Sequence, residues 1–168
     1  GERGEMGGFE PQTGLTDDES LARVLCVHFP HKISRLIAGY LGHPGITDAL
    51  QDVIGQNVKC MQSMLFVKAS GKPGQAWHQD EIYIPTRDRS LTGVWIALDD
   101  ATVENGCLWV IPGSHRRGIL YNLEWHADPR FDCAHEARGF PWSNDEAVPV
   151  EVKAGSAVIF NGYLLHRS

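Results

Sequence analysis

Long hydrophobic runs are missing from this chain. No apolar stretch in its 168 residues approaches the roughly 20 that a membrane helix needs. Cysteine is also sparse. Cys26, Cys60, Cys107 and Cys133 stand far apart and form no C-x-x-C pair, so neither a secreted disulfide framework nor a cysteine zinc site is expected. Reduced thiols in a cytoplasmic protein are the reading that remains. Nor is there a basic stripe. Fifteen Lys and Arg are scattered against 21 Asp and Glu, for a net charge of −6, which argues against nucleic acid and anionic membranes as partners. The stretch Gly1 to Gly14 is polar and glycine-rich and does not read as a signal peptide. Internal repeats and low-complexity segments are absent as well. What remains, 42% hydrophobic and 21% charged, is ordinary for one globular domain with a sizeable core.

Two kinds of pattern follow each other along the chain. Thr16-Asp17-Asp18-Glu19 has the spacing of a helix capping box. Leu21, Val24 and Leu25, then Ile33, Leu36, Ile37 and Leu41, recur at helical spacing, and Ile46 to Ile54 reads as a third helix. A helical layer is therefore expected over 16–54. From Val58 onward the runs are short and rich in β-branched and aromatic residues: 58–68, 76–84, 91–98, 107–111, 148–152 and 156–165. Turn signals such as Glu104-Asn105-Gly106 and Pro112-Gly113-Ser114 separate them. The fold class expected is mainly β with flanking helices, its core a jelly roll over 58–168. Between His115 and Ala147 the pattern turns polar and irregular, and this insertion is expected to form a lid over the site.

His78-Gln79-Asp80 carries the chemical signal. On a strand, residues two apart share a face, so imidazole and carboxylate can converge. One distant histidine then completes a facial triad with open coordination positions, the arrangement that suits iron(II). The motif alone is weak among eight histidines, and His126-Ala127-Asp128 repeats it. Context separates the two. His78 opens a strand-like run, whereas Asp128 precedes Pro129 inside the insertion. His166 ends a late apolar strand, where a jelly roll returns its last strands beside the early ones.

Four further blocks sharpen the reading: Trp77-His78-Gln79-Asp80, the run Gly93 to Thr102, Glu104 to Leu108, and Ile111 to His115. In this order, with His166 beyond them, they resemble the phytanoyl-CoA dioxygenase family over about Val58 to Ser168. The resemblance implies a double-stranded β-helix core. It implies an iron(II)- and 2-oxoglutarate-dependent dioxygenase that hydroxylates an unactivated C–H bond of a small molecule, with iron on His78, Asp80 and His166. It further implies 2-oxoglutarate contacts from Met64, Trp95 and Ser168. Met64 and Trp95 would more often be core residues, with the two readings close to even for Met64, but an indole N–H beside a metal can hydrogen-bond the co-substrate, which favours Trp95. An intact Asp80 favours hydroxylation, since related halogenases carry a small residue there.

The family also places an arginine about ten residues past the distal histidine, and here the sequence stops at Ser168. A single catalytic domain lacking C-terminal residues is therefore expected, with the missing part supplying that cation. Two other readings stay open: a non-redox cupin-like metalloenzyme, for which Glu81 is on the wrong face, and a jelly-roll module that binds a ligand without turnover. His115, Arg116, Arg117, Trp125 and Trp142 read either as a substrate mouth or as solvated loop residues.

Overall fold

The computed structural model describes residues 14–168, so the glycine-rich start lies, but for Gly14, outside the described residues. The chain divides into two compact units, one running to Lys72 and the other from Pro73 to Ser168.

In the first unit the capping box closes as its spacing requires. The Thr16 hydroxyl accepts from the Glu19 N–H at 3.3 Å, and the Glu19 carboxylate accepts from the Thr16 N–H at 2.8 Å. The helix it starts, α1 (Asp17–Leu21), is short. Val24 and Leu25 do not continue it, because the chain passes into β1 (Cys26–His28). Cross-strand pairing there overrides a helical spacing of only a few residues. A 3-10 turn, Pro30–Lys32, leads to α2 (Arg35–Tyr40), capped by the Ser34 hydroxyl, and to α3 (Pro44–Ile54). β2 (Met64–Phe66) pairs antiparallel with β1, in the register Cys26 to Phe66 and His28 to Met64. The expected helical layer therefore also contains a strand, and Ile33 and Leu36 of its apolar pattern are exposed.

The second unit is built from short strands and 3-10 turns, with no α-helix among its described residues. Its strands are β3 (Thr92–Ile96), β4 (Leu108–Val110), β5 (Leu123–Trp125), β6 (His135–Ala137), β7 (Val148–Val150), β8 (Ala157–Asn161) and β9 (His166–Arg167). β3 pairs with β8, β4 lies between β7 and β9, and β5 with β6 forms a hairpin, all antiparallel. Late strands thus return beside early ones, the connectivity of a double-stranded β-helix. Trp77, Ile111, Tyr121, Ala137 and Leu165 form the buried core, with Trp109, Leu123, Phe140, Trp142 and Ala147 packed against it.

Two expectations need correction. The run 76–84 is not one strand, for at Asp80 the chain folds into a 3-10 turn, Asp80–Ile82. Buried Glu81 drives this: its carboxylate accepts from both the Thr86 N–H and the Thr86 hydroxyl at 2.6 Å, which turns the chain back on itself. The segment from His115 to Ala147 is not irregular either. It holds the β5–β6 hairpin, and Tyr121 and Ala137 within it belong to the core. Those contacts tie the segment to the core of the unit. Among the described residues, no helix is long and apolar enough to cross a membrane.

Candidate metal centre

The centre is built on one antiparallel bridge. His78 and His166 exchange both backbone hydrogen bonds, at 3.0 and 3.1 Å. Gln75 and Ser168 do the same at 2.9 and 3.0 Å. Between these pairs stand Ala76 and Trp77 on one side and Arg167 alone on the other, which makes a β-bulge. The bulge twists the backbone just before His78, and the 3-10 turn begins just after it. Both devices aim side chains where a regular strand would not.

The result is convergence. One ligand atom from each of His78, Asp80 and His166 lies within 4.8 Å of the others. Asp80 Oδ1 stands 3.7 Å from His78 Nε2 and 3.5 Å from His166 Nε2. His78 Nδ1 lies 2.8 Å from the Ala76 carbonyl and His166 Nδ1 lies 2.9 Å from the Leu164 carbonyl. A carbonyl can only accept, so each Nδ1 carries the proton and each Nε2 lone pair faces the triad. Burial pushes both imidazoles down from 6.5 to about 4; the neighbouring His166 adds to this at His78, while Asp80 and the Ala76 hydrogen bond oppose it. At neutral pH both rings are therefore uncharged, so their closeness to Asp80 is a ligand geometry and not a pair of salt bridges. Burial also raises the Asp80 carboxyl, opposed by His78. Two neutral imidazoles and a carboxylate that pays for its burial form a donor set a divalent cation would relieve.

The residues between and beside these donors hold the arrangement. Gln79 is 1% exposed and points away from the triad. Its amide nitrogen donates to the carbonyls of Ile119 at 2.9 Å and Tyr163 at 2.7 Å, while its oxygen accepts from the Tyr121 N–H at 2.9 Å. A single side chain thus ties the His78–Asp80 segment to two other stretches of backbone. Strand alternation already turns Gln79 away from the metal face, but its three distant partners carry no mark in the sequence.

The remaining predicted residues divide. Trp95 pairs with Val158 in the β3–β8 ladder, on the same sheet face as Phe160, whose ring lies 4.8 Å from that of His166. Ser168 sits at the bridge, where its hydroxyl accepts from the Gln75 N–H at 3.3 Å. Met64 lies on β2 in the first unit, its sulfur accepting from the Gln62 amide at 3.2 Å. Of the mouth candidates, Trp142 packs against the core with Arg117 over its ring at 5.1 Å, whereas Trp125 is 70% exposed. The second H-x-D is spent locally. Asp128 forms a forked ion pair with Arg130, which holds its carboxyl down at about 2, and His126 Nδ1 accepts from the Asp128 N–H at 3.1 Å.

With that geometry established, similarity to known proteins decides the lineage. Residues 8–168 match the family model described as phytanoyl-CoA dioxygenase (PhyH). The chain belongs to the phytanoyl-CoA dioxygenase family. Phytanoyl-CoA dioxygenase 1 of Oryza sativa subsp. japonica is 42% identical over 110 residues, covering 64% of this chain and 38% of the rice protein. Among solved structures, the apo non-heme monooxygenase ThoJ is similar at a TM-score of 0.63 and 26% identity, over 76% of this chain and 46% of ThoJ. EvdO2 from Micromonospora carbonacea var. aurantiaca, complexed with 2-oxoglutarate, is similar at 0.62 and 25% identity, over 86% of this chain and 60% of EvdO2. This family member thus spans less than half the length of the curated relatives it matches. The double-stranded β-helix core is common ground with these enzymes.

Proposed function

We propose that the protein is an iron(II)- and 2-oxoglutarate-dependent oxygenase that hydroxylates an unactivated C–H bond of a small molecule, with His78, Asp80 and His166 as its metal ligands. One observation carries the reading: two neutral imidazoles and one carboxylate converge on a point, with each Nδ1 committed to a carbonyl. The donor set fits iron(II), and three ligands on one side leave positions for a chelating co-substrate and for dioxygen. Bound there, the metal would supply oxygen activation coupled to decarboxylation of 2-oxoglutarate to succinate. The chain's own residues bind and orient. His78 and His166 present Nε2, Asp80 contributes the negative charge, and burial of both histidines limits water around the donors. Trp95 stands on the sheet face that packs against His166, which supports a part for its indole beside the co-substrate. Ser168, next to the bridge, is the second candidate for that contact.

The EvdO2 complex with 2-oxoglutarate and family membership support the same co-substrate. A non-redox cupin-like site would recruit a further ligand near the first pair. Here the nearby Glu81 commits its Oε1 to the Thr86 N–H and hydroxyl.

The test is anaerobic loading with iron(II) followed by oxygen and 2-oxoglutarate, with succinate measured. Iron-dependent succinate release that disappears in His78→Ala is the expected result. Binding of iron and 2-oxoglutarate without succinate would favour a ligand-binding module and contradict the proposal.

A further inference from the structure

We propose that Phe160 is a positioning residue for this metal centre: its ring sets the plane of the His166 imidazole, and Gly93 provides the space in which that ring stands. The inference rests on the metal reading above and concerns residues to which that reading gives no part.

His166 is tethered at Nδ1 by the Leu164 carbonyl, but a single hydrogen bond leaves the tilt of the ring free. Steric neighbours must set it. The His78 ring lies 4.1 Å away at 50° and the Phe160 ring 4.8 Å away at 57°. His78 is itself a ligand, so of these two rings Phe160 is the one that can act as a fixed support. It stands on β8 directly across from Gly93 on β3.

A Cβ on Gly93 would fall 2.7 Å from Phe160 Cζ, 2.9 Å from Cε2 and 3.1 Å from Cε1. The outer edge of the phenyl ring therefore rests on the Gly93 backbone. Gly93 is not among the glycines with positive φ, so the position needs glycine for space and not for its backbone conformation. Any side chain there must displace the ring, and the ring it displaces is the one against His166. Hydrogen-bonding outer-shell partners of metal ligands typically change metal affinity about 10- to 100-fold when altered, and a packing support belongs at the lower end of that range.

The test uses the full chain with cobalt(II) as the probe, reading affinity by titration and ligand geometry from the d–d absorption, with thermal melts to confirm folding. Wild type, His166→Ala, Phe160→Leu, Gly93→Ala and the double variant Gly93→Ala/Phe160→Leu are compared. Phe160→Leu is expected to bind cobalt about tenfold more weakly, with an altered d–d spectrum. Gly93→Ala is expected to shift both readouts in the same direction. The double variant should bind no more weakly than Phe160→Leu alone, because the added methyl occupies space the phenyl ring has left. Wild-type affinity and spectrum in folded Phe160→Leu would overturn the proposal. If that variant fails to fold, an unchanged spectrum in Gly93→Ala overturns it. Equal cobalt binding by wild type and His166→Ala would instead remove the triad itself, and this inference with it.

Discussion

Arg167 holds its guanidinium 4.9 Å from the centre of the Trp77 ring and 5.5 Å from that of Trp109, on the residue next to His166 and across from the one next to His78. The two histidines face the triad, and the cation–π pair closes the other side of the same bulged bridge. Arg167 is thereby committed to packing, as its place beside a ligand on a strand requires. Replacing it with Ala removes two cation–π contacts worth about 1–2 kcal/mol together at a partly exposed site. Thermal unfolding should fall by a few degrees, while Arg167→Lys should recover only part of the loss. An unchanged melting temperature in Arg167→Ala would show that the contacts are incidental.

Gln79 is expected to matter more. Its removal strands two carbonyls and one N–H, each costing about 1–3 kcal/mol if left unpaired in the interior. Gln79→Leu should therefore destabilise the protein by about 3 kcal/mol or more. Gln79→Glu should be no better, because a carboxylate oxygen would face the carbonyls of Ile119 and Tyr163 with nothing to donate. Denaturant unfolding checks this, and a near-wild-type midpoint for Gln79→Glu would contradict the assigned hydrogen bonds.

Metal-free protein should lose stability in mild acid. His78 and His166 titrate at about 4 when folded and at 6.5 otherwise. Below 6.5 the unfolded chain takes up protons that the folded chain refuses, so folding weakens as pH falls from 6.5 toward 4. Asp80 acts in the opposite sense, since protonation relieves its burial. Melting temperatures at pH 7 and pH 5 should show the drop, and His166→Ala should make it shallower. Equal slopes for both proteins would be inconsistent with buried, neutral imidazoles.

Trp95 offers a test of the co-substrate side. Trp95→Phe keeps an aromatic ring on this sheet face but replaces the indole by a smaller phenyl without the N–H, so it should raise the KM for 2-oxoglutarate and leave cobalt binding unchanged. Loss of cobalt binding would mean that Trp95 serves the packing around His166 and not the co-substrate.

The convergence of His78, Asp80 and His166 was legible because its signals are local or compositional. His78 and Asp80 lie two residues apart, and His166 closes an apolar run. The turn at Asp80 was not legible. Ile82, Tyr83 and Ile84 look like strand, and the fold-back depends on a contact between Glu81 and Thr86 that periodicity does not register. The β5–β6 hairpin was hidden for another reason. Polar residues alternate poorly there, and the anchoring side chains Tyr121 and Ala137 join a cluster that includes Trp77 and Leu165, far away in sequence. The fit of Phe160 over Gly93 depends on a strand register that no single strand reveals. At the helical end, α1 was readable from its cap, but its length was set by the pairing of β1 with β2.

In the proposed function His78, Asp80 and His166 hold the metal. Anaerobic iron(II) titration of wild type, His166→Ala and His126→Ala tests it most directly. His166→Ala should lose tight binding, and His126→Ala should keep wild-type affinity because the Asp128 carboxylate is committed to its ion pair with Arg130. Retained iron binding in His166→Ala together with loss in His126→Ala would move the metal to the second H-x-D and contradict the account.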